Sequence, residues 1–308
     1  MAVLILSKPM PPEPFAAELA ARHFGHAVHT SIDAVDPAAV RWLIAWRLPE
    51  GLLPTLPNLE LLFCCAAGVD KLVSVRDLPP TLPVSRVVDD SQALELAQYV
   101  VHAVLDHLRG APRYRAQQAA RQWTRHRALT VGRRALVLGM GGIGRRIALS
   151  LGALGFEVTG WTRSAHPVEG IATVHGEAGL RTALPRAEVL VCALPLTAQT
   201  AGIVNHATLS ALPRGAFFVN IARGAHVVEP DLVALLHSGH VGGAALDVQV
   251  HEPMPPEDPL WDAPNVTITP HVAGHLQPGA VIGQFIAELE RQAAGLPLRH
   301  PVSHARGY

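Results

Sequence analysis

Short runs of consecutive apolar residues alternate along this chain with longer stretches whose apolar positions recur every three or four residues. Ala2-Val3-Leu4-Ile5-Leu6 reads as a strand, and residues 13–23 as a helix with Phe15, Leu19 and Ala20 on one face. Trp42–Trp46, Leu61–Cys65 and Pro83–Val87 read as further strands. Unbroken apolar runs belong to strands buried on both faces, so the pattern predicts a parallel sheet with helices on either side. From Ser91 to Arg109 the period turns helical, through Leu94, Ala97, Val101, Val104 and Leu108, with Ser91 as N-cap and Gly110 as stop. A second series of strands follows: Ala135–Leu138, Glu157–Trp161, Ala187–Leu194, Ala216–Ile221, Gly243–Val248 and Val266–Thr269. An amphipathic helix, Pro278–Ala294, closes the chain with Ile282, Phe285, Ile286 and Leu289 on one face.

The fold class this implies is α/β, with two doubly wound parallel-sheet domains: a Rossmann nucleotide domain and a smaller flavodoxin-like substrate domain. The last helix begins after the final strand of the second series, and its expected route is back to the first. The substrate domain is then discontinuous, residues 1–95 and 273–308, and the dinucleotide-binding domain is residues 96–272. A simple tandem pair is the alternative. A split domain gives two crossing points, which suits a hinge over a cleft.

Composition removes several function classes. The chain of 308 residues is 49% hydrophobic and only 16% charged, with net charge +0, against about 25% charged in an average soluble domain. No global field draws it to nucleic acid or to an anionic membrane. The arginines at 109, 113, 115, 121, 125 and 127 are separated by glutamines, alanines and Trp123, and read as a solvated helix face and loop. Cys64, Cys65 and Cys192 sit in apolar runs without disulfide or zinc spacing, so no metal is expected. The opening apolar run is too short for a signal peptide core or a membrane span, and the compartment read from it is the cytoplasm. Most of the 17 histidines, among them His23, His26, His29, His102, His107, His126, His166 and His175, read as polar-face or loop residues.

The chemistry starts at Gly139-Met140-Gly141-Gly142-Ile143-Gly144, which fits G-x-G-x-x-G between the strand 135–138 and a helical pattern. The first glycine permits a tight turn, the second lets backbone approach a pyrophosphate, and the third lets helix and strand pack closely. NAD-specific sites place an acid near the end of the next strand, where it bonds the ribose 2′-OH and repels a 2′-phosphate. Here that strand ends Trp161-Thr162-Arg163-Ser164, with no acid. A guanidinium and two hydroxyls suit a 2′-phosphate, so NADPH is the expected cofactor. Leu194, Pro195, Ile221, Ala222 and Asp247, at later strand ends, are assigned to the cofactor as well.

Three further strand ends carry Arg223, Glu252 and His271. Ligands of open α/β sheets bind outside the carboxyl ends of strands, so the three are expected to converge on one crevice. Their types suit carbonyl reduction. A histidine can deliver the proton to the developing alkoxide, a carboxylate beside it favours its charged form, and an arginine can hold a carboxylate and polarise the carbonyl.

The glycine loop, Asn220-Ile221-Ala222-Arg223-Gly224, Glu252-Pro253 and Thr269-Pro270-His271 together resemble the D-2-hydroxyacid dehydrogenase family, over almost the whole chain. Within it, Ala67-Gly68-Val69-Asp70, Trp161-Thr162-Arg163-Ser164, His226-Val227-Val228-Glu229 and Ala305-Arg306-Gly307-Tyr308 are most similar to the NADPH-dependent glyoxylate/hydroxypyruvate reductase A branch. The resemblance implies a two-lobed fold, a homodimer through the nucleotide domains, and catalytic roles for Arg223, Glu252 and His271. It also implies that the N–H groups of Gly68 and Val69 bind the substrate carboxylate; a glycine-bearing loop after a strand is an anion nest on independent grounds. Trp46, Arg47 and His275 are assigned to the substrate pocket, and Arg86 is a candidate to face it. The expected activity is NADPH-dependent reduction of a small 2-oxo acid, glyoxylate, hydroxypyruvate or similar. The alternative is a nucleotide-sensing, corepressor-like protein on the same fold.

Overall fold

The computed structural model describes residues 1–126 and 132–308; Arg127 of the arginine series lies outside the described residues. The chain divides into two compact units, Met1–Asp89 with Leu276–Tyr308, and Asp90–His275. The sequence reading sets these limits at 95/96 and 272/273.

The first unit holds the strands β1 (Ala2–Leu6), β2 (Ala27–His29), β3 (Val40–Ala45), β4 (Leu61–Cys64) and β5 (Val84–Arg86). They form one parallel sheet in the order β2-β1-β3-β4-β5, the flavodoxin-like arrangement. Leu4, Leu43, Leu62 and Val84 lie in one row across four strands. Because successive side chains point to opposite faces, this row belongs to one core, while Val3, Ile5, Ile44 and Phe63 build another on the other face. The helices α1 (Glu13–Ala21) and α2 (Asp70–Val73) belong to this unit. So does the C-terminal helix Pro278–Ala293, which buries Val281, Ile282 and Phe285 in the core of Phe15 and Leu19.

The second unit holds β6 (Arg134–Leu138), β7 (Glu157–Thr162), β8 (Ala172–His175), β9 (Val189–Cys192), β10 (Ala216–Asn220), β11 (Val241–Leu246) and β12 (Val266–Ile268). The order is β12-β11-β10-β9-β6-β7-β8, all parallel. Its helices are α3 (Asp90–Leu108), α4 (Ala111–Ala119), α5 (Gly142–Ala153), α6 (Gly176–Ala183), α7 (His206–Ser210) and α8 (Glu229–His237). The first strand, β6, lies between β9 and β7, so the strand order reverses there. In such sheets the crevice at the carboxyl ends beside the reversal is the ligand site.

Three details differ from the sequence reading. Strands β2 and β8 are short, partly exposed edge strands with no apolar run to mark them. The buried face of α3 is Ala93, Leu96, Ala97, Val100 and Val104, whereas Leu94 is 43% exposed. His107 is not a polar-face residue: its ring stacks on Phe217 at 4.1 Å, and burial pushes its pKa down. The arginine segment carries the helix α4, which buries none of its side chains, in line with the solvated helix face read from the sequence. All three cysteines are free and buried. Among the described residues, no helix is long and apolar enough to cross a membrane.

Candidate active site

β6 runs out at Leu138, and α5 starts at Gly142 with Gly141 as its N-cap. Gly139 has φ +97°, and a Cβ there would lie 2.6 Å from the Ala193 carbonyl oxygen. A Cβ on Gly144 would overlap the carbonyl oxygen of Gly139, so the helix sits on its own turn only if this residue is glycine. Nothing lies within 4 Å of a Cβ built on Gly141 or Gly142. The outer glycines are therefore demanded by the fold, and the inner ones leave a helix N-terminus open to a ligand. Its N–H groups and positive dipole end suit a pyrophosphate. Met140 turns beneath the loop and fills the space a Cβ on Gly160 of β7 would need. Ile143 packs with the core below.

At the end of β7, Thr162 Oγ1 donates to the Ser164 carbonyl at 2.9 Å and shapes the turn. Arg163 and Ser164 are exposed. Arg163 Nη1 donates to Gln199 Oε1 at 2.9 Å, so a residue from the loop after β9 holds the guanidinium. That loop starts with Leu194, buried, and Pro195, whose carbonyl accepts from Thr200 Oγ1 at 2.7 Å. The residues suit a dinucleotide with a 2′-phosphate: an open helix start, and an arginine at a strand end, Trp161–Ser164, whose sequence holds no acid.

β10 ends in the fully buried Asn220. Its Oδ1 accepts the N–H of Ala222 at 3.1 Å, and its Nδ2 donates to the Arg223 carbonyl at 2.9 Å. Ile221 and Ala222 are buried beneath. The N–H of Arg223 donates to Nδ1 of the buried His226 at 3.2 Å, and Nε2 of that ring lies 3.3 Å from the Pro195 carbonyl. Next to Arg223, Gly224 packs directly on the backbone of Gln249, where a Cβ would overlap the Gln249 carbonyl carbon. This contact brings the Arg223 loop against the loop that carries Glu252.

Glu252 Oε1 accepts the N–H of Gln249 at 3.2 Å, and Oε2 meets His271 Nδ1 at 3.0 Å. Burial pushes the Glu252 carboxyl up, but the hydrogen bond and charge of His271, the Gln249 N–H and the charge of Arg223 outweigh it and hold the carboxyl below its usual range. Both side chains keep about a third of their surface, 33% and 31%, exposed, so the pair can meet a ligand. The structure thus brings Arg223, Glu252 and His271 together at the carboxyl ends of β10, β11 and β12.

His271 has φ +55°, a left-handed conformation that costs a non-glycine residue about 1 kcal/mol or more. Asp247, at the end of β11 and buried, sets it. Its carbonyl accepts the N–H of His271 at 2.8 Å. Its Oδ1 accepts Thr269 Oγ1 at 2.7 Å and the N–H of Val272 at 2.9 Å, and Oδ2 accepts the N–H of Ala273 at 2.9 Å. Asp247, read from sequence as a cofactor residue, also anchors the histidine loop. Since Thr269 Oγ1 donates to Asp247, the 2.7 Å contact with Tyr99 of α3 has Tyr99 as donor. Further along, the N–H of His275 donates to Glu95 Oε2 at 2.7 Å, and its exposed ring lies beside the same oxygen, tying the loop to α3.

The remaining assigned residues belong to the first unit. Gly68 and Val69 form the turn between β4 and α2, and among the described residues neither N–H donates to another group of the chain. Trp46 and Arg47 follow β3 directly, with the exposed Arg47 guanidinium 5.5 Å from the centre of the half-buried Trp46 ring. Arg86 ends β5 and turns inward, Nη1 donating to the Ala67 carbonyl at 2.9 Å. Sequence reasoning missed Gln199, Tyr99 and Glu95; they act from other elements, and no local motif marks them.

A doubly wound α/β chain with an open glycine turn and a paired histidine at neighbouring strand ends defines a dinucleotide-dependent oxidoreductase. Residues 101–273 match the D-isomer specific 2-hydroxyacid dehydrogenase, NAD binding domain family. The chain is 34% identical over 283 residues to a glyoxylate/hydroxypyruvate reductase A of Yersinia enterocolitica, covering 89% of each. A D-isomer specific 2-hydroxyacid dehydrogenase of Xanthobacter autotrophicus Py2, solved with NADPH and MES, is 37% identical with TM-score 0.94, over 100% of this chain and 99% of that one. An NADPH-dependent glyoxylate/hydroxypyruvate reductase of Sinorhizobium meliloti, solved with NADP and sulfate, is 34% identical with TM-score 0.93 over the same shares, 100% and 99%. The chain belongs to the D-isomer specific 2-hydroxyacid dehydrogenase family.

Proposed function

We propose that this protein reduces small 2-oxo acids, glyoxylate, hydroxypyruvate or a near relative, to 2-hydroxy acids with NADPH. The observation that carries the reading is the 3.0 Å contact of His271 Nδ1 with Glu252 Oε2, within the field of Arg223. Bound reduced nicotinamide supplies the hydride. The chain supplies the rest. His271 faces Glu252 through Nδ1, so the proton for the carbonyl oxygen leaves from Nε2. Glu252 holds Nδ1 and fixes the orientation of the ring. Arg223 stabilises the charge that develops on the carbonyl oxygen and engages the carboxylate. Gly68 and Val69 offer two N–H groups to the substrate carboxylate, and Trp46, Arg47 and His275 shape the pocket.

The cofactor residues in this reading are Gly139–Gly144, Thr162, Arg163, Ser164, Leu194, Pro195, Ile221, Ala222 and Asp247. Arg163, held by Gln199, takes the 2′-phosphate. The second unit is then the dinucleotide-binding domain, and the discontinuous first unit is the substrate domain. We place the protein in the cytoplasm, in keeping with three free cysteines. A homodimer through the second unit is supported by Trp123, 93% exposed, beyond an α4 that buries nothing; light scattering of the purified protein tests it, and a monomer would reject it.

The test of function is NADPH oxidation at 340 nm across a panel of 2-oxo acids. Turnover with glyoxylate or hydroxypyruvate, and its loss in His271→Ala by a factor on the order of 10²–10⁴ with NADPH binding kept, is the expected result. Tight NADPH binding without turnover of any 2-oxo acid would favour a sensing role.

A further inference from the structure

The turn Ala67-Gly68-Val69 has both of its peptide planes held from behind. Arg86 Nη1 donates to the Ala67 carbonyl at 2.9 Å, and Cys64 Sγ donates to the Gly68 carbonyl at 3.7 Å. A trans peptide is planar, with its C=O and the following N–H on opposite sides. Fixing the Ala67 oxygen therefore aims the Gly68 N–H, and fixing the Gly68 oxygen aims the Val69 N–H. A cation on the carbonyl also polarises the peptide and makes its N–H a better donor.

The two donors are themselves a built pair. Cys64 and Arg86 are register partners at the ends of β4 and β5. Behind Arg86, Ser85 is fully buried; its Oγ donates to Glu288 Oε1 at 2.8 Å. Glu288, 2% exposed on the C-terminal helix, also accepts the N–H groups of Arg299 at 3.0 Å and His300 at 3.2 Å. The His300 carbonyl in turn accepts the N–H of Arg86 at 3.2 Å. The guanidinium is thus carried on a strand end locked on two sides, and burial lowers its pKa without removing its charge.

We propose that Arg86, with Cys64, is a positioning residue that aims and strengthens the N–H groups of Gly68 and Val69 toward the substrate carboxylate. The proposal rests on the reading of that turn as the carboxylate anchor. Arg86 touches the turn, and its effect falls on substrate affinity. In steady-state reduction of glyoxylate, Arg86→Met is expected to raise KM about tenfold, the loss of roughly one charge-assisted hydrogen bond. Arg86→Lys, which keeps a cation but fewer donors, raises it about threefold, and Cys64→Ala about twofold. In all three, kcat and the KM for NADPH stay within about twofold, and the inhibition constant of oxamate, a carboxylate analogue, rises in step with KM.

Unchanged glyoxylate KM in Arg86→Met and Arg86→Lys overturns the proposal, as does a fall in kcat at constant KM. Should Arg86→Met not fold, Arg86→Lys and Cys64→Ala carry the same comparison. Val69→Pro, which deletes one N–H, tests the underlying reading separately: an unchanged KM there rejects the turn as anchor whatever Arg86 does. If Val69→Pro raises KM and the Arg86 variants do not, the anchor stands and the positioning role fails. In the double variant Arg86→Met/Val69→Pro the two factors fall short of their product, because both act through one turn; a full product would instead put Arg86 on the substrate itself and overturn the proposal.

Discussion

The N–H of His271 donates to the carbonyl of Asp247 at 2.8 Å, while the Asp247 carboxylate receives the next two N–H groups, of Val272 and Ala273, at 2.9 Å each. One buried residue at the end of β11 thereby imposes the left-handed turn that presents the imidazole. Asp247→Asn puts an NH2 where one of three donors now points. The expected loss is about 1–3 kcal/mol of stability for an unsatisfied buried donor, and at least about a tenfold fall in kcat from a displaced histidine. Urea unfolding and kinetics check both; a variant with normal kcat would show that the loop is held by other means.

Glu252 carries the pH dependence. Its carboxyl is held below the usual range, chiefly against the upward push of burial, by His271, Gln249 and Arg223. The contribution of a carboxylate lowered in the folded state is complete above its unfolded value, about 4.3, and is lost as the pH falls through the lowered folded value. Unfolding of the wild type should therefore become easier below about pH 4, with part of that slope absent in Glu252→Gln. Superimposable unfolding profiles of the two proteins against pH would reject the pairing.

Cofactor choice is the third expectation. Arg163→Ala should raise the KM for NADPH about tenfold or more and leave that for NADH nearly unchanged, since a guanidinium–phosphate contact is a charge-assisted one. Gln199→Ala, which removes one hydrogen bond that holds Arg163, should have a smaller effect in the same direction, about twofold to threefold. An equal rise for both cofactors would place Arg163 at a part of the dinucleotide they share.

The glycine turn, the strand ends and the sheet were legible because each writes itself locally. A parallel strand buried on both faces is an unbroken apolar run, as in Leu136–Leu138 or Val189–Cys192, and a turn with φ +97° has to be glycine. What was not legible depends on partners distant in sequence. Edge strands β2 and β8 bury too little to leave an apolar signature. His107 looked like a polar-face residue until Phe217, on another strand, supplied its stacking partner. Arg223, Glu252 and His271 could be named from their places at strand ends, but the shell that aims them could not. Tyr99, Glu95 and Gln199 are ordinary residues in sequence, and only their partners on other elements give them work.

Gly224 gives the sharpest test of that shell. It sits between Arg223 and the Gln249–Glu252 loop, and a Cβ there would overlap backbone atoms of Gln249 and Val250. Backbone cannot rotate aside as a side chain would, so Gly224→Ala has to push one loop away from the other. A misplacement of about 1 Å is worth on the order of 10² in rate, and overpacking of this kind costs about 1–3 kcal/mol. Gly141→Ala is the control, since nothing lies within 4 Å of its Cβ. That variant should keep wild-type stability and weaken only cofactor binding. The expected contrast is therefore a Gly224→Ala protein that binds NADPH normally by fluorescence but turns over on the order of a hundredfold more slowly, beside a Gly141→Ala protein with the opposite profile. Near-normal turnover in Gly224→Ala would mean that the two loops can separate without cost to the chemistry, and that the close approach of the Arg223 loop to the Gln249–Glu252 loop is not what the rate depends on.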